Sequence, residues 1–262
     1  MERSFIFAPN LKIILMKKLT LSAFLLAGFM ITSCDKNDDN TTPQNSDSSY
    51  LPVKINDADG IYSFKYDTQN RMIEMKSGDS ETAYILTTFT YSGDQLTAVK
   101  ETEVAPGYSG TEDYVFTYQN NKVTAKVTYT NSSGANGSMT DILTVDGNGR
   151  LTNYDGTNAV YDANGNLTKM TNPYEEYTFE YDTKNGIFKN VKTPQWVFVY
   201  VLDDHFMYKV NNPAKVGYKD LEENQTYSQA ISYTYNTADY PTKMVVVDED
   251  NDTYTAIIQY NK

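Results

Sequence analysis

The sequence predicts an all-β fold, an antiparallel meander of many hairpins that forms a rolled sheet or a barrel-like shell. Two observations support this prediction. The 262 residues include 23 tyrosines and one tryptophan, and tyrosine, like the abundant threonine, favours strands. Clusters of aspartate, asparagine and glycine recur along the chain between segments of alternating apolar residues, which is typical of strands joined by tight turns.

A short motif recurs at these turns: an aromatic residue, several turn-forming residues and then an aliphatic residue. In the copy at 161–167, Asp162 can accept a hydrogen bond from the backbone two residues on, Asn164 tolerates a left-handed conformation, and Gly165 adopts a positive φ without steric cost. Each copy therefore predicts a β-hairpin, with Tyr161 and Leu167 paired across its strands. The copies begin at Tyr66, Tyr91, Tyr118, Val145, Tyr161, Tyr181 and Tyr235, and in the last one a tyrosine replaces the glycine.

The segments between the turns have a period of two. Tyr114, Phe116 and Tyr118 fall on one face of a strand, so we expect one buried and one wet face. The segment 195–202, QWVFVYVL, is apolar at successive positions and predicts a strand covered on both sides. We count roughly fifteen to eighteen strands between turn clusters. Because strand twist accumulates, such a meander curls or closes, and two stacked sheets are the alternative.

Residues 1–33 predict a secretory signal peptide. Lys17 and Lys18 precede the apolar run from Leu19 to Met30, which is too short to span a bilayer but has the length of a secretory signal. We expect translation to start at Met16, because the preceding residues have no evident role.

The end of this segment, Ile31-Thr32-Ser33-Cys34, resembles the lipobox of bacterial lipoproteins. In that family the signal is cut before the cysteine, whose sulfur is diacylated and whose new amino terminus is acylated too. The resemblance implies lipidation at Cys34 and a membrane anchor of several acyl chains, which would release slowly. A buried thiol or a standard signal peptide is the alternative. Cys34 is the single cysteine, so no disulfide can form within the chain.

Residues 34–49 predict a flexible acidic tether, because they contain too few apolar residues to bury surface. The cluster from Asp35 to Asp39 resembles the export tag of Bacteroidetes lipoproteins that reach the outer face of the outer membrane; a solvated linker is the alternative. We therefore expect an outer membrane lipoprotein, exposed at the cell surface, with one all-β domain at 50–262.

The motif written as Tyr161-Asp162 and Asn164-Gly165 resembles the YD or Rhs-type repeat. Residues 235–244, YNTADYPTKM, resemble the C-terminal signature of uncharacterised Bacteroidetes lipoprotein domains. The resemblance covers residues 50–262 and implies a β-meander, with no known reaction or ligand. YD repeats elsewhere form shells around a toxin, but this chain has few regular copies and no cargo region.

Charge and single residues exclude several classes of function. The net charge of −12 repels nucleic acid and anionic lipid and favours neutral or cationic partners. His205 is the single histidine and has no nucleophile motif nearby, so we interpret it as a loop residue.

Acidic groups are the remaining candidates for chemistry. The doublets Glu175/Glu176, Asp203/Asp204 and Glu222/Glu223 could in principle form the acid pair of a glycosidase, but neighbours in a strand point to opposite faces. Asp248, Asp250 and Asp252 begin like a calcium loop, which Thr253 and Gln259 then break. Asp146 to Gly149 is another partial match that the hairpin explains. We therefore predict no enzyme activity, no metal and no cofactor.

The function that these patterns favour is noncatalytic binding of a glycan or a protein by a lipid-anchored envelope protein. Tyrosine rings on a sheet offer sugars an apolar face and a hydroxyl group, and Trp196 is a candidate ligand-binding residue. A structural or assembly lipoprotein is the first alternative, and an acid-pair hydrolase is the second. A transmembrane porin is disfavoured by the lipobox and by the polar outer positions of the strands.

Overall fold

The protein forms a closed barrel of antiparallel strands. The computed structural model describes residues 49–57, 60–78, 80–202 and 209–262. Within these residues sixteen strands follow one another in chain order around the barrel, and β16 pairs with β1 to close it. The predicted fold class and the expected number of strands are confirmed. The predicted signal peptide and Cys34 with most of its tether lie outside the described residues.

Over the described residues the barrel has one short helix among its strands. The elements are β1 Pro52–Asn56, β2 Ile61–Tyr66, β3 Met72–Ser77, β4 Tyr84–Ser92, β5 Gln95–Ala105, β6 Tyr108–Gln119, β7 Lys122–Asn131, β8 Asn136–Val145, β9 Leu151–Tyr154, β10 Thr157–Tyr161, β11 Leu167–Thr171, β12 Glu175–Tyr181, α1 Gln195–Tyr200, β13 Pro213–Asp220, β14 Thr226–Tyr235, β15 Pro241–Val247 and β16 Thr253–Tyr260.

All copies of the repeated motif lie at one end of the barrel, which we call the repeat rim. They follow β2, β4, β6, β8, β10, β12 and β14, and in a meander the turns after even-numbered strands share one end. In the copy at 161–167, Asp162 Oδ1 accepts hydrogen bonds from the backbone N–H groups of Asn164 and Asn166, both at 2.9 Å. Tyr161 and Leu167 are direct partners across β10 and β11. The predicted hairpin is therefore confirmed.

In four copies of the motif the left-handed residue stands four positions after the first residue; in the copies at Tyr91 and Tyr118 it is Gly93 and Asn120, two positions after. Asn70, Gly149, Gly165 and Asp239 have φ values of 65°, 72°, 95° and 62°. In the last copy Asp239, and not Tyr240, thus takes the position of the glycine. The prediction that a tyrosine replaces this glycine is corrected. Asparagine and aspartate tolerate this conformation better than other side chains because they can bond locally to the backbone.

The aromatic residue of the motif joins neighbouring hairpins. The hydroxyl groups of Tyr66, Tyr91, Tyr118 and Tyr181 donate to backbone carbonyl oxygens at the start of the preceding strand, at 2.6–3.0 Å. The strand register shifts at Tyr66, Tyr91, Tyr161, Tyr181 and Tyr235. A β-bulge of this kind bends a strand and increases its twist, which helps the sheet to close.

The interior of the barrel is mainly apolar. The insert between β12 and β13, by which we mean the described residues 182–202 and 209–212, fills its repeat-rim end. Residues 195–202 do not form the predicted strand; they contain α1, whose residues Trp196 to Val199 are at most 2% exposed. A run of apolar residues that is buried on all sides has the same sequence signature in a strand and in a helix, so periodicity could not separate the two. The prediction that this segment lies in the core is confirmed.

Hydrogen bonds hold this insert to the barrel wall. Thr193 Oγ1 accepts from the backbone N–H of Met72 at 2.8 Å, and the backbone N–H of Lys192 donates to the carbonyl oxygen of Asn70 at 2.9 Å. At the end of α1, the hydroxyl of Tyr200 donates to Asp141 Oδ2 at 2.7 Å. The insert is therefore a fixed part of the core.

The outer face of the barrel combines charged and polar side chains with exposed apolar ones, among them Val115, Ile142 and Val160. Ion pairs join neighbouring strands across it, with Nζ to carboxylate distances of 2.9 Å for Lys65–Glu74, 2.9 Å for Lys100–Asp113 and 2.6 Å for Lys169–Glu176. Charged side chains facing hydrocarbon are costly, so this outer face suits water. In the part of the chain that the structure describes, no helix combines the length and hydropathy needed to cross a bilayer.

Candidate functional site

The end of the barrel opposite the repeat rim, where the turns after the odd-numbered strands lie, has walls of unequal height. We call this end the mouth. Strands β5 to β8 have 11, 12, 10 and 10 residues, whereas β9 to β11 have 4, 5 and 5. At ~3.3 Å per residue, the long strands run roughly 20 Å further. Since all of them meet at the repeat rim, the inner face of β5 to β8 extends beyond β9 to β11 at the mouth.

Two glutamates lie side by side on this tall wall, and we call them the glutamate pair. Glu101 on β5 and Glu112 on β6 are direct partners, and Thr87 on β4 is the partner of Glu101 on its other side. Each glutamate stands two residues from an inward-facing side chain, Val99 or Tyr114, and therefore points into the barrel. The hydroxyl of Thr87 donates to Glu101 Oε2 at 3.2 Å. Glu112 is 8% exposed.

Burial makes this pair hard to ionise fully. Loss of water around Glu101 raises its pKa to about 7; the charge of Glu112 adds to the rise, and the hydrogen bond from Thr87 opposes it. Burial also raises the pKa of Glu112, against the effect of its hydrogen bond with Tyr114. Burial raises the pKa of the nearby Glu103 as well. Near neutral pH the two glutamates therefore hold part of a proton between them.

The end of α1 touches the same wall. The ring of Tyr200 packs edge-on against Tyr154 and Tyr114, with ring centroids 5.5 Å and 6.3 Å apart. Tyr114 also bonds to Glu112. Tyr114 is therefore a common neighbour of the insert and the glutamate pair.

A row of three tyrosines lines another part of the mouth. Tyr177, Tyr218 and Tyr227, which we call the tyrosine row, are direct partners on β12, β13 and β14. Their ring centroids are 5.1 Å and 6.0 Å apart. Tyr177 is also the partner of the core residue Met170, so the row faces inward. All three residues are half-buried, and part of their surface reaches solvent.

Carboxylates flank the tyrosine row. Glu175 and Asp220 are direct partners on β12 and β13, and Glu175 Oε2 accepts a hydrogen bond from the hydroxyl of Tyr177 at 3.3 Å. Burial raises the pKa of Tyr218, and the charges of Glu175 and Asp220 raise it further. The row therefore lies in a negative potential, which disfavours anionic ligands.

The candidate residues predicted from sequence are placed as follows. Trp196 is 2% exposed, and its ring lies edge-on to Phe116 with centroids 4.9 Å apart, so it is a core contact. Glu175 faces the mouth, whereas Glu176 forms an outer ion pair with Lys169; the expected opposite orientation is confirmed. The backbone N–H groups of Glu222 and Glu223 both donate to Asp220 in the turn after β13. Cys34, Asp203, Asp204 and His205 lie outside the described residues.

The three aspartates with calcium-loop spacing form the turn between β15 and β16. Asp248 Oδ1 accepts from the backbone N–H groups of Asp250 and Asp252 at 3.1 Å and 2.9 Å. Across the described ranges, no three histidine, cysteine, aspartate or glutamate side chains are grouped as metal ligands. Asp146 makes the same two bonds to Asn148 and Arg150 at the repeat rim, as the hairpin interpretation expects.

Sequence reasoning missed the glutamate pair because it considered only acids adjacent in the chain. A signal was present in the alternation itself. Glu101 follows Val99, and Glu112 precedes Tyr114, each at a spacing of two residues. Both carboxylates therefore occupy the apolar face of their strands.

By its fold, the protein is a closed sixteen-stranded antiparallel barrel, counted over the described residues, with a filled interior and an open mouth. No family model matches the chain, and no curated protein matches it. The resemblance to YD or Rhs-type repeats therefore stays a prediction.

Solved structures with a similar fold include two porin-like proteins. One, from Bacteroides vulgatus ATCC 8482, is 14% identical, with a TM-score of 0.44 over 81% of this chain and 99% of the other. The second, from Bacteroides uniformis ATCC 8492, is 12% identical, with a TM-score of 0.42 over 81% of this chain and 96% of the other. Similarity at this level assigns no function to the present protein.

Proposed function

We propose that the protein is a lipid-anchored protein of the cell envelope, at the surface of the outer membrane, that binds a glycan or a protein segment in its mouth without chemical conversion. The observation that carries the proposal is the contrast between the two ends of the barrel. Apolar side chains and the insert fill the repeat-rim end. At the mouth, half-buried tyrosines and carboxylates face inward.

The composition of the mouth suits recognition of polar ligands. Binding sites combine apolar or aromatic surface with a few polar groups that fix orientation. Tyrosine supplies both parts, because its ring contacts apolar surface and its hydroxyl forms hydrogen bonds. The carboxylates of Glu175 and Asp220 would accept hydrogen bonds from sugar hydroxyl groups or from the N–H groups of a peptide.

The envelope location rests on the lipobox ending at Cys34 and on the acidic tether at 34–49. The ion-paired outer face supports it, since a barrel of this kind would stand in water on its tether and not within the bilayer. Several acyl chains at one cysteine suffice for stable attachment.

A binding screen tests the proposal. The mature chain, made soluble by Cys34→Ser, is applied to an array of neutral, cationic and anionic polysaccharides and to fractionated envelope proteins. We expect saturable binding to at least one neutral or cationic glycan or to one envelope protein. Absence of binding to every polysaccharide and every envelope protein tested would contradict the binding function.

The glutamate pair favours a second candidate, glycoside hydrolysis. Residues directly opposite each other in an antiparallel pair have Cβ atoms about 5 Å apart, and retaining glycosidases separate their two carboxyl groups by about 5–5.5 Å. A pKa of about 7 would keep Glu101 partly protonated near neutral pH, as the acid of such a pair must be. Release of reducing ends that is lost in both Glu101→Gln and Glu112→Gln would establish this activity. Bound polysaccharides that stay intact would eliminate it.

A further inference from the structure

We propose that the tyrosine row formed by Tyr177, Tyr218 and Tyr227 is the subsite for a single polysaccharide chain of neutral or amine-bearing sugars. This inference rests on the proposed binding function and adds the location and the class of the ligand.

The spacing and tilt of the rings point to an extended but twisted chain. The ring centroids advance in steps of 5.1 Å and 6.0 Å, comparable to the advance of one hexose along a polysaccharide, so consecutive sugars can each meet one ring. The ring planes are inclined by 53° between Tyr177 and Tyr218 and by 30° between Tyr218 and Tyr227. Rings tilted in this way form a curved surface, which fits a single chain and not the flat face of a crystalline polymer.

The barrel wall holds the row in place before any ligand binds. Backbone ladders pair the three residues directly, and two of the hydroxyl groups have side-chain acceptors. The Tyr177 hydroxyl donates to Glu175 Oε2, and the Tyr227 hydroxyl donates to Gln225 Oε1. Side chains fixed in this way lose little conformational freedom on binding.

The carboxylates beside the tyrosine row determine which classes of sugar can bind there. Glu175 and Asp220 lie opposite each other beside the row, and Glu223 follows in the adjacent turn. These carboxylates would repel uronate and sulfate groups, would accept hydrogen bonds from hydroxyl or amide groups, and would attract a sugar ammonium group. Neutral and amine-bearing chains therefore fit this surface, and acidic chains do not.

Calorimetry with three probes tests the inference: a chitin oligosaccharide, a chitosan oligosaccharide and polygalacturonate, each titrated into the mature chain with Cys34→Ser. We expect binding of the first two and none of the third. Tyr218→Ala should weaken binding at least tenfold, because stacking surface is lost at the centre of the row, and Tyr218→Phe should retain most of it. Tyr174→Ala is the matched control, since Tyr174 is 62% exposed at the same end of the barrel and outside the row.

The outcomes separate the inference from the proposed function. Binding of a glycan that Tyr218→Ala leaves unchanged, in a variant that melts like the parent, would overturn the row as subsite while the binding function stands. Preferential binding of polygalacturonate would overturn the charge argument. Absence of binding to every glycan, with capture of an envelope protein instead, would overturn the sugar ligand and leave the protein-binding form of the function.

Discussion

Tyr181 and Tyr161 occupy the same position in two copies of the repeated motif, but their hydroxyl groups have different surroundings. The Tyr181 hydroxyl donates to the carbonyl oxygen of Leu167 at 2.7 Å. The Tyr161 hydroxyl is buried and has no hydrogen-bond partner within the described residues. The motif thus places the same side chain at each hairpin without ensuring the same bond.

This difference predicts opposite effects of removing the two hydroxyl groups. Tyr181→Phe should lower the free energy of unfolding by ~1 kcal/mol, since a buried carbonyl loses its donor. Tyr161→Phe should leave stability unchanged or raise it, because an unpaired buried hydroxyl is costly. Chemical denaturation of both variants measures the effects. Equal losses would show that the two hydroxyls are equivalent.

Glu101 predicts a pH dependence of stability. Its pKa is raised to about 7 by burial and by the charge of Glu112, so the folded state binds this proton more tightly than the unfolded state does. Stability is therefore lost as the pH rises through the window between the unfolded pKa of about 4.3 and the folded value. Glu101→Gln removes the titration, and its stability relative to the parent should increase on the order of 2 kcal/mol between about pH 5 and pH 8.

Thermal unfolding across this pH range measures the effect of Glu101→Gln. Asp94→Asn serves as the control, since Asp94 is exposed in the turn between β4 and β5 and should show no comparable change. A constant difference between the parent and Glu101→Gln at all pH values would contradict burial of an ionisable group.

For single residues, the sequence predicts which side chains face inward but not which residues become partners across neighbouring strands. Alternation placed Tyr114, Phe116 and Tyr118 on the buried face, and the structure confirms this. The partner of Glu101 on β6 depends on the register of β5 and β6, which the short turn around Gly107 sets. Its partner on β4 depends also on the register shift at Tyr91, where Thr97 of β5 is the extra residue. Alternation indicates that both glutamates face inward, but their direct pairing depends on the strand register, so the pair itself could not be predicted.

The hairpin is the element that the sequence predicts best. Its turn residues act locally: Asp162 accepts two backbone bonds, and Gly165 has a φ of 95°. Local chemistry of this kind does not depend on the rest of the chain, which is why the turns could be identified without the fold.

Two glycines at different positions of the turn motif, Gly165 and Gly147, provide a test of this local chemistry. Gly165→Ala should lower the free energy of unfolding by about 1 kcal/mol, because an L-residue is strained at positive φ. Gly147→Ala should be neutral or slightly stabilising, because Gly147 does not have a positive φ and an added Cβ there meets no atom within 4 Å. Thermal melting compares the two variants. A smaller loss for Gly165→Ala than for Gly147→Ala would contradict the assigned turn.

Helix α1 shows where element prediction fails. QWVFVYVL contains β-branched and aromatic residues, which favour strands, yet among the described residues it is not paired with any strand of the sheet. A segment inside a closed barrel cannot join the sheet around it, so it satisfies its own backbone bonds by forming a helix. Its conformation follows from its location in the molecule and not from its intrinsic propensity.

For the molecule as a whole, the anchor makes the clearest prediction. If Cys34 carries acyl chains, Cys34→Ala should move the protein from the membrane fraction to the soluble fraction, because the ion-paired outer face alone has little affinity for lipid. Cell fractionation and mass spectrometry of the N-terminal peptide measure this change. Ser33→Ala is the control and should keep the anchor. A parent protein with an unmodified cysteine would contradict the lipobox interpretation.

Closure of the sheet could be predicted, whereas the packing of an insert inside the barrel could not. Strand number and accumulated twist indicate a curled or closed meander, and the barrel confirms this. The sequence contains no local sign that residues 182–202 fold inward, since their apolar content is equally compatible with a strand. The position of that insert determines which end of the barrel it leaves unfilled. The mouth could therefore be identified only from the structure.

The antiparallel pairing of β1 with β16 brings the two ends of the barrel domain together. The backbone N–H of Asn261 donates to the carbonyl oxygen of Leu51, and the Leu51 N–H donates to Asn261 Oδ1, both at 3.0 Å. A short linker could therefore connect these ends, while the exposed turn at Gly107 is cut to supply new termini. Such a circular permutant would keep every strand beside its present neighbours. Its folding would show that the architecture is encoded by the cyclic order of the hairpins, whichever of them is synthesised first.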